Sequence, residues 1–237
     1  MITITHIASG SSGNCYHVTD GVTQVLLEAG IRFKTIQKKL NFAISELSGC
    51  LVTHEHGDHS KSAQELMRAG VDVYMSLGTY TGLFYPDGSF VPHRFKMIKS
   101  LEQFKIGTWT ILPFDTVHDA TEPLGFLLSS TATGEKLLFA TDTAYLRFQF
   151  TALTHIMIEC NYVPEILSAS NISRTEKRRI TFNHFGLDNV VRFLEDIDKD
   201  RLVEVHLLHL SDRNADENLI KESIEEVVDA KVVVAER

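Results

Sequence analysis

The stretch from Cys50 to Ser60, CLVTHEHGDHS, constrains this chain more than any other. A short apolar run, Leu51 and Val52, delivers His54, His56, Asp58 and His59 within six positions, with Gly57 between them as a residue that lets the backbone turn sharply. One histidine in such a place would read as an ordinary polar loop residue. Three with an aspartate, directly after a strand-like run, read as a metal site, because imidazole and carboxylate suit zinc-like divalent ions. Residues two apart in an extended segment share a side, so His54 and His56 can hold one ion while Asp58 and His59, past the turn, hold another. The spacing is not HExxH, whose histidines lie one helical turn apart, so Glu55 gains no general-base role by that analogy.

The rest of the chain is long enough to support such a site without staples. At 237 residues it reads as one domain spanning 1–237, able to bury a substantial core. A 43% hydrophobic and 23% charged composition is that of a soluble globular protein. No run is apolar for the length a bilayer requires, and MITITHIASG lacks a secretory pattern, so a cytoplasmic location is expected. Cys15, Cys50 and Cys160 are odd in number and widely spaced, which reads as buried free thiols. The net charge of −8 argues against long nucleic acid as the favoured partner. Two divalent ions would return about four positive charges to the site, so the local field can oppose the global one.

Hydrophobic patterning predicts an α/β chain. MITITHIA, CYHVTD and TQVLLEAG read as strands, the latter two joined at Asp20-Gly21, and Ile31 to Leu40 as a helix. After the histidine loop, Ser60 is expected to cap a helix running to Arg68 and ended by Gly70. VDVYMS is a further strand and SLGTYTGLF a short helix; VPHRFKMI, TWTILPF and GFLLSST are strands. LLFATDT and HIMIECNY are buried strands and LVEVHLLHLSD a strand plus loop, with helices at Asp188–Glu195 and Asn218–Val228 and a last strand at KVVVA. Strand groups in both halves, each with helices, predict two packed sheets with helices outside, a four-layer αββα sandwich.

Three later segments repeat one pattern, an apolar strand ending in a polar loop with one potential ligand: ILPFDTVHDA with His118, LLFATDTAY with Asp142 and EVHLLHLSD with His209. With these in place the chain resembles the metallo-β-lactamase fold, and within it the ribonuclease Z-like phosphodiesterase branch, from SGSSGN to HLSDRN. The resemblance implies one ion on His54, His56 and His118 and a second on Asp58, His59 and His209, with Asp142 bridging. It implies zinc first, with manganese as the alternative, and a catalytic part for Asp58 beside its ligand role. It also implies a proton-handling pair, with His184 of FNHFGL protonating the leaving oxygen and Glu159 of IMIECNY orienting it. The letters around this pair differ from ribonuclease Z, and a helix-capping part for His184 stays open beside the catalytic one.

Where the fold usually carries aspartate, this chain has Glu28 in LLEAG, expected to orient a ligand imidazole. Asp115 and Asp119 are candidates for a similar part or for solvated loop acids. His6, His17, His93, His155 and His206 lack companions at ligand spacing and read as ordinary surface or core residues. His206 competes with His209, which the strand-to-loop boundary favours. Arg174, Lys177, Arg178 and Arg179 form a basic cluster that is either a solvated helix face or an arm for substrate phosphate or base.

The resemblance implies a metal-dependent phosphodiesterase. SGSSGNCY, VTHEHGDHSK and LLHLSDRNAD are similar to small phage and prophage members of the branch, which include the anti-Pycsar proteins. Those are homodimers that hydrolyse 3′,5′-cyclic nucleotides, including cyclic CMP and cyclic UMP, and blunt a bacterial antiviral signal in the host cytoplasm. A small nucleotide substrate and a homodimer are therefore expected, with no membrane partner. The second reading is a metal-dependent exonuclease or ribonuclease acting on single-stranded nucleic acid. A third is a protein that sequesters a nucleotide without cutting it, and fold alone leaves lactamase or thioester chemistry open.

Overall fold

In a computed structural model, residues 1–84 and 93–236 are described. They form two compact units, one built from Met1–Asp115 and Ala120–Glu135 with Glu236, the other from Thr116–Asp119 and Lys136–Ala235.

The first unit opens with β1 (Thr3–Ala8), β2 (Cys15–Thr19) and β3 (Gln24–Leu27), an antiparallel meander whose β2–β3 turn falls at Asp20-Gly21, as the sequence predicts. Helix α1 (Phe33–Lys39) buries Ile36 and leads to β4 (Gly49–Leu51), which pairs parallel to β3. After the histidine loop come α2 (Gly57–Ser60), α3 (Ala63–Arg68), β5 (Val73–Met75), α4 (Leu77–Phe84) and β6 (Phe95–Met97). β5 and β6 extend the parallel part of the sheet, giving the order β1-β2-β3-β4-β5-β6. The expected strand VPHRFKMI thus forms only at its end, and its Val91 and Pro92 lie outside the described residues. β7 (Phe104–Ile106), β8 (Trp109–Asp115) and β9 (Leu124–Ser130) make a second antiparallel meander.

One expectation fails here. Ser60 does not cap the following helix, because it lies in the single turn α2 and its hydroxyl donates back to the carbonyls of Glu55 and His56, at 2.9 and 2.8 Å. The chain needs that turn to present His59, and α3 starts only after Ser62. Gly70, at φ 95°, does end α3, a conformation that favours glycine. The core behind the loop is continuous: Leu26, Ile36, Cys50, Val52, Leu66 and Val73 pack as one buried cluster. Cys15, Cys50 and Cys160 are buried free thiols, as expected.

The second unit is a parallel sheet, β10 (Lys136–Ala140), β11 (His155–Glu159), β12 (Glu204–Leu208) and β13 (Lys231–Val234). Its apolar runs are continuous rather than alternating, and Leu137–Ala140 and Ile156–Ile158 have no exposed surface, as strands covered on both faces require. The helices between them are α5 (Pro164–Ala169), α6 (Arg174–Asn183), α7 (Leu187–Asp196) and α8 (Glu217–Glu225). α7 buries Leu187, Val190 and Leu194 at helical spacing, and α8 buries Ile220 and Ile224. α6 buries none of its ten residues and is held by a capping box between Ser173 and Glu176.

Candidate metal centre

Most predicted site residues lie on loops just past strand ends, while Glu159 is the last residue of β11, Asp58 and His59 lie in α2, and His184 caps α6. In the first unit β4 runs out at Leu51, and the extended segment Val52–His56 places two imidazoles together: His54 Nε2 lies 3.1 Å from His56 Nδ1. The α2 turn then brings Asp58 Oδ2 to 3.4 Å from His59 Nε2. Two ligand atoms about 2.0–2.1 Å from a tetrahedral ion stand roughly 3.3–3.4 Å apart, so both pairs have the bite of a metal ligand pair. Thr53 Oγ1 lies 2.8 Å from His54 Nδ1, which leaves Nε2 as the coordinating nitrogen.

Glu28 stands behind His59, with Oε1 at 3.6 Å from Nδ1. Its full burial pushes its carboxyl above the ordinary glutamate range, against the opposing pull of His59. Glu55 has no part in the donor set, since Thr121 donates to its Oε1 from both backbone nitrogen and hydroxyl, at 2.8 and 2.6 Å.

Two residues that sequence reasoning missed hold this loop. Asn14, from the SGSSGN segment, donates its backbone N–H (2.7 Å) and its side-chain amide (3.2 Å) to the Asp58 carbonyl, and the same amide lies 3.3 Å from His59 Nε2. Gly30 passes so close that an added Cβ would overlap the Asp58 carbonyl. Gly57, by contrast, does not take a left-handed conformation and has open space where a Cβ would go. The glycine the loop requires is Gly30, because the close approach is made there.

The second unit gathers His118, Asp142, Glu159, His184 and His209. Asp142 Oδ2 lies 3.5 Å from His118 Nε2, while its Oδ1 lies 3.2 Å from His209 Nδ1, so its carboxylate sits between the two histidines. His118 Nδ1 donates to the Asn183 carbonyl at 3.0 Å; a carbonyl only accepts, so Nε2 carries the lone pair. Burial also holds His118 below the ordinary histidine pKa, which keeps it neutral as a ligand must be. Asp119 reaches His118 Nε2 at 3.4 Å and Arg179 at 3.0 Å, whereas Asp115 is exposed at the end of β8.

Glu159 is the hub. Its Oε1 accepts from His184 Nδ1 at 2.6 Å and His209 Nδ1 at 2.9 Å, and its Oε2 from the backbone N–H of Thr143 at 3.2 Å and Phe185 at 3.1 Å. Burial opposes its charge, but His184 and these bonds outweigh it and hold the carboxyl below the ordinary range. His184 is correspondingly raised: burial disfavours its charged form, and Glu159 more than offsets that. Asp142, Glu159, His184 and His209 each bring one ligand-type atom within 4.8 Å of the others.

Of the competing histidines, His206 stays on β12 with Glu204 at 3.0 Å, while His209 sits just past its end, its carbonyl held by Asn161 at 2.9 Å. His6 stacks edge-on against Tyr16, His17 bonds Gln24 and His155 lies beside Thr154. Glu28, Asp142 and His209 all have positive φ, at 67°, 47° and 51°. Each follows a strand end, and backbone of this kind in a residue other than glycine clusters at functional sites.

The donor set fits divalent ions in residue type, bite distance and imidazole orientation. The β-lactamase superfamily domain model matches residues 23–207. The chain belongs to that superfamily. Its fold is the metallo-β-lactamase one, two mixed sheets with helices, and the family match runs through both units. The exodeoxyribonuclease YycJ of Bacillus anthracis is 29% identical over 236 residues, 95% of this chain and 88% of that one. The metallo-β-lactamase-fold protein YhfI of Bacillus subtilis superposes with a TM-score of 0.75 at 16% identity, covering 100% and 97% of the two chains. The short form of human tRNase Z does so at 0.67 and 14%, covering 100% and 96%. The protein is thus a metal-dependent hydrolase of this fold. No helix among the described residues is long and apolar enough to cross a membrane.

Proposed function

We propose that this chain is a metal-dependent exonuclease acting on single-stranded DNA, its two units forming one hydrolase domain. The observation that carries this reading is similarity to an exodeoxyribonuclease along 95% of the chain, in a protein that also clusters histidines and carboxylates able to hold metal. It moves the nuclease reading, second at the level of sequence, ahead of the cyclic-nucleotide one.

His54, His56 and His118 would hold one ion, and Asp58, His59 and His209 the other, with Asp142 shared by both. When bound, the ions supply Lewis-acid polarisation of the phosphodiester and a water of lowered pKa. The chain's own part is positional and protonic. Glu159 fixes the His184 ring through Nδ1, so a proton on Nε2 is delivered to the departing sugar oxygen in a set direction. Asn14 and Gly30 keep Asp58 and His59 in register, and Glu28 backs the His59 ring.

α6 supports a strand-like substrate. It carries Arg174, Lys177, Arg178 and Arg179 against Glu176, and it ends at His184. Phe182 is 59% exposed, and Arg178 lies 5.3 Å over its ring. Basic side chains beside an exposed aromatic are what a base-stacking, phosphate-tracking surface uses.

The test is to incubate metal-loaded protein with end-labelled single- and double-stranded DNA, RNA and cyclic CMP. Progressive shortening of single-stranded DNA, with cyclic CMP intact, is expected. Cleavage of cyclic CMP with DNA untouched would reverse the order of the two readings.

A further inference from the structure

The second unit contains a cleft of about 470 Å³ that the donor set does not use. That is within the range of small-ligand sites, roughly 300–1,000 Å³. One wall is the segment 145–151 and the other comes from Phe185 and α7. Both walls depart from the same oxygen of Glu159: Thr143 N–H and Phe185 N–H each donate to its Oε2, and the Thr143 hydroxyl donates to the Tyr145 carbonyl at 2.8 Å. Both walls are therefore anchored to the candidate site through Glu159.

Its chemistry is ordered along its length. Asn189 on α7 bonds the Ala144 carbonyl at 3.5 Å, which fixes the end nearest Asp142. Arg192 lies one turn further, about 4.5 Å along the helix axis, and Asp196 about 10 Å from Asn189, with Asp198 just beyond. On the opposite wall Arg147 lies 5.5 Å over the Tyr145 ring, whose residue is 46% exposed. Phe150 meets Phe193 edge-to-face at 6.4 Å and joins the walls. Neither Arg147 nor Arg192 has an ion-pair partner among the described residues. Unpaired guanidinium groups beside aromatic rings match a phosphate joined to a flat ring, and carboxylates at the far end can accept from exocyclic amino groups.

We propose that this cleft binds one nucleoside monophosphate unit, the terminal nucleotide of the strand and the product it becomes. Arg147 and Arg192 hold its phosphate, Tyr145 and Phe193 flank its base, and Asp196 and Asp198 face base amino groups. The part played by the strand end rests on the exonuclease reading; the nucleotide site itself does not.

Calorimetric titration of metal-loaded protein with dCMP, dTMP, deoxycytidine and inorganic phosphate tests it. dCMP is expected to bind at least about tenfold more tightly than phosphate or deoxycytidine, and more tightly than dTMP, which has no amino group on its base. Arg192→Glu and Tyr145→Ala should each weaken dCMP by about tenfold, and Asp196→Asn should narrow the gap between dCMP and dTMP. If a variant melts early, Arg192→Lys and Tyr145→Phe decide: the first should lose affinity partly, the second little. dCMP bound no better than phosphate, or equal dCMP affinity in the wild type, Arg192→Glu and Tyr145→Ala, overturns the proposal. DNA shortened from its ends without dCMP binding removes this site alone. Tight dCMP binding with DNA intact removes the exonuclease reading alone.

Discussion

Glu159 takes four donors on two oxygens, and this division of labour makes its roles separable. Glu159→Gln sets an amide NH2 opposite either the two histidine Nδ1 atoms or the two backbone N–H groups, so the His184 ring loses its orientation while the seven proposed ligand side chains remain. Turnover should fall by about 10²–10⁴, as for His184→Ala, with two metal equivalents retained by elemental analysis. Asp142→Ala and His54→Ala should instead lose metal and activity together; full activity in a metal-free Asp142→Ala protein would defeat the assignment. Gly30→Ala tests a residue no motif announces: its methyl group would displace the Asp58 carbonyl, and metal affinity should fall by about 10–100-fold. The sequence offers His54, His56, Asp58 and His59 as candidate ligands because they crowd into six positions, and His118, Asp142 and His209 because each follows an apolar strand. It did not disclose Asn14, Gly30 or Asn161, whose work is done through backbone carbonyls of distant segments.

Among the elements, α6 departs from the usual logic of a helix. A helix with no buried residue gains nothing from a core, and its capping box and exposed charges must sustain it. The two readings of its basic cluster divide by residue. Arg179 is engaged with Asp119 next to His118, and Lys177 donates to the Ser168 carbonyl at 2.6 Å, so these two have structural work. Arg174 makes no such bond among the described residues, and Arg178 lies only over the exposed Phe182 ring. The double charge reversal Arg174→Glu with Arg178→Glu should raise KM for single-stranded DNA by about tenfold or more. It should also flatten the salt dependence of binding by roughly 0.7 for each phosphate no longer neutralised, with the melting temperature little changed. An unaltered KM would leave α6 a solvated face. Most element positions were readable from apolar spacing, but those of α5 and α6 were not, and α6 has no buried face to give a period. The Ser60 cap was misread because α2, a single turn, is too short to show a period, and its serine bonds backward.

At the scale of the molecule, a chain of net charge −8 carries a basic cluster on α6 that runs against the global sign. The carboxylates outside the donor set include one with a purely architectural part. Asp20, in the β2–β3 turn and 3% exposed, accepts from the backbone N–H groups of Val22 and Thr23 at 3.0 and 2.9 Å. It also accepts from the hydroxyls of Thr108 and Ser130, both at 2.6 Å, and so joins the turn between β2 and β3 to the meander β7-β8-β9 within the first unit. Burial opposes its charge, and these four bonds more than offset that, leaving its pKa below the ordinary aspartate value. A folded-state pKa below the unfolded one means that the unfolded chain takes up the proton first as pH falls. Asp20 therefore contributes its full stabilisation above the unfolded-state pKa of about 3.9, and that contribution is lost as pH falls through the folded-state value. Asp20→Asn should cost about 1–3 kcal/mol at neutral pH, measured by urea unfolding of metal-free protein so that acid release of metal does not intervene. The difference between wild type and variant should shrink only below about pH 4. A gap that stays constant down to the acid limit would show that the carboxylate charge at position 20 does nothing for the fold.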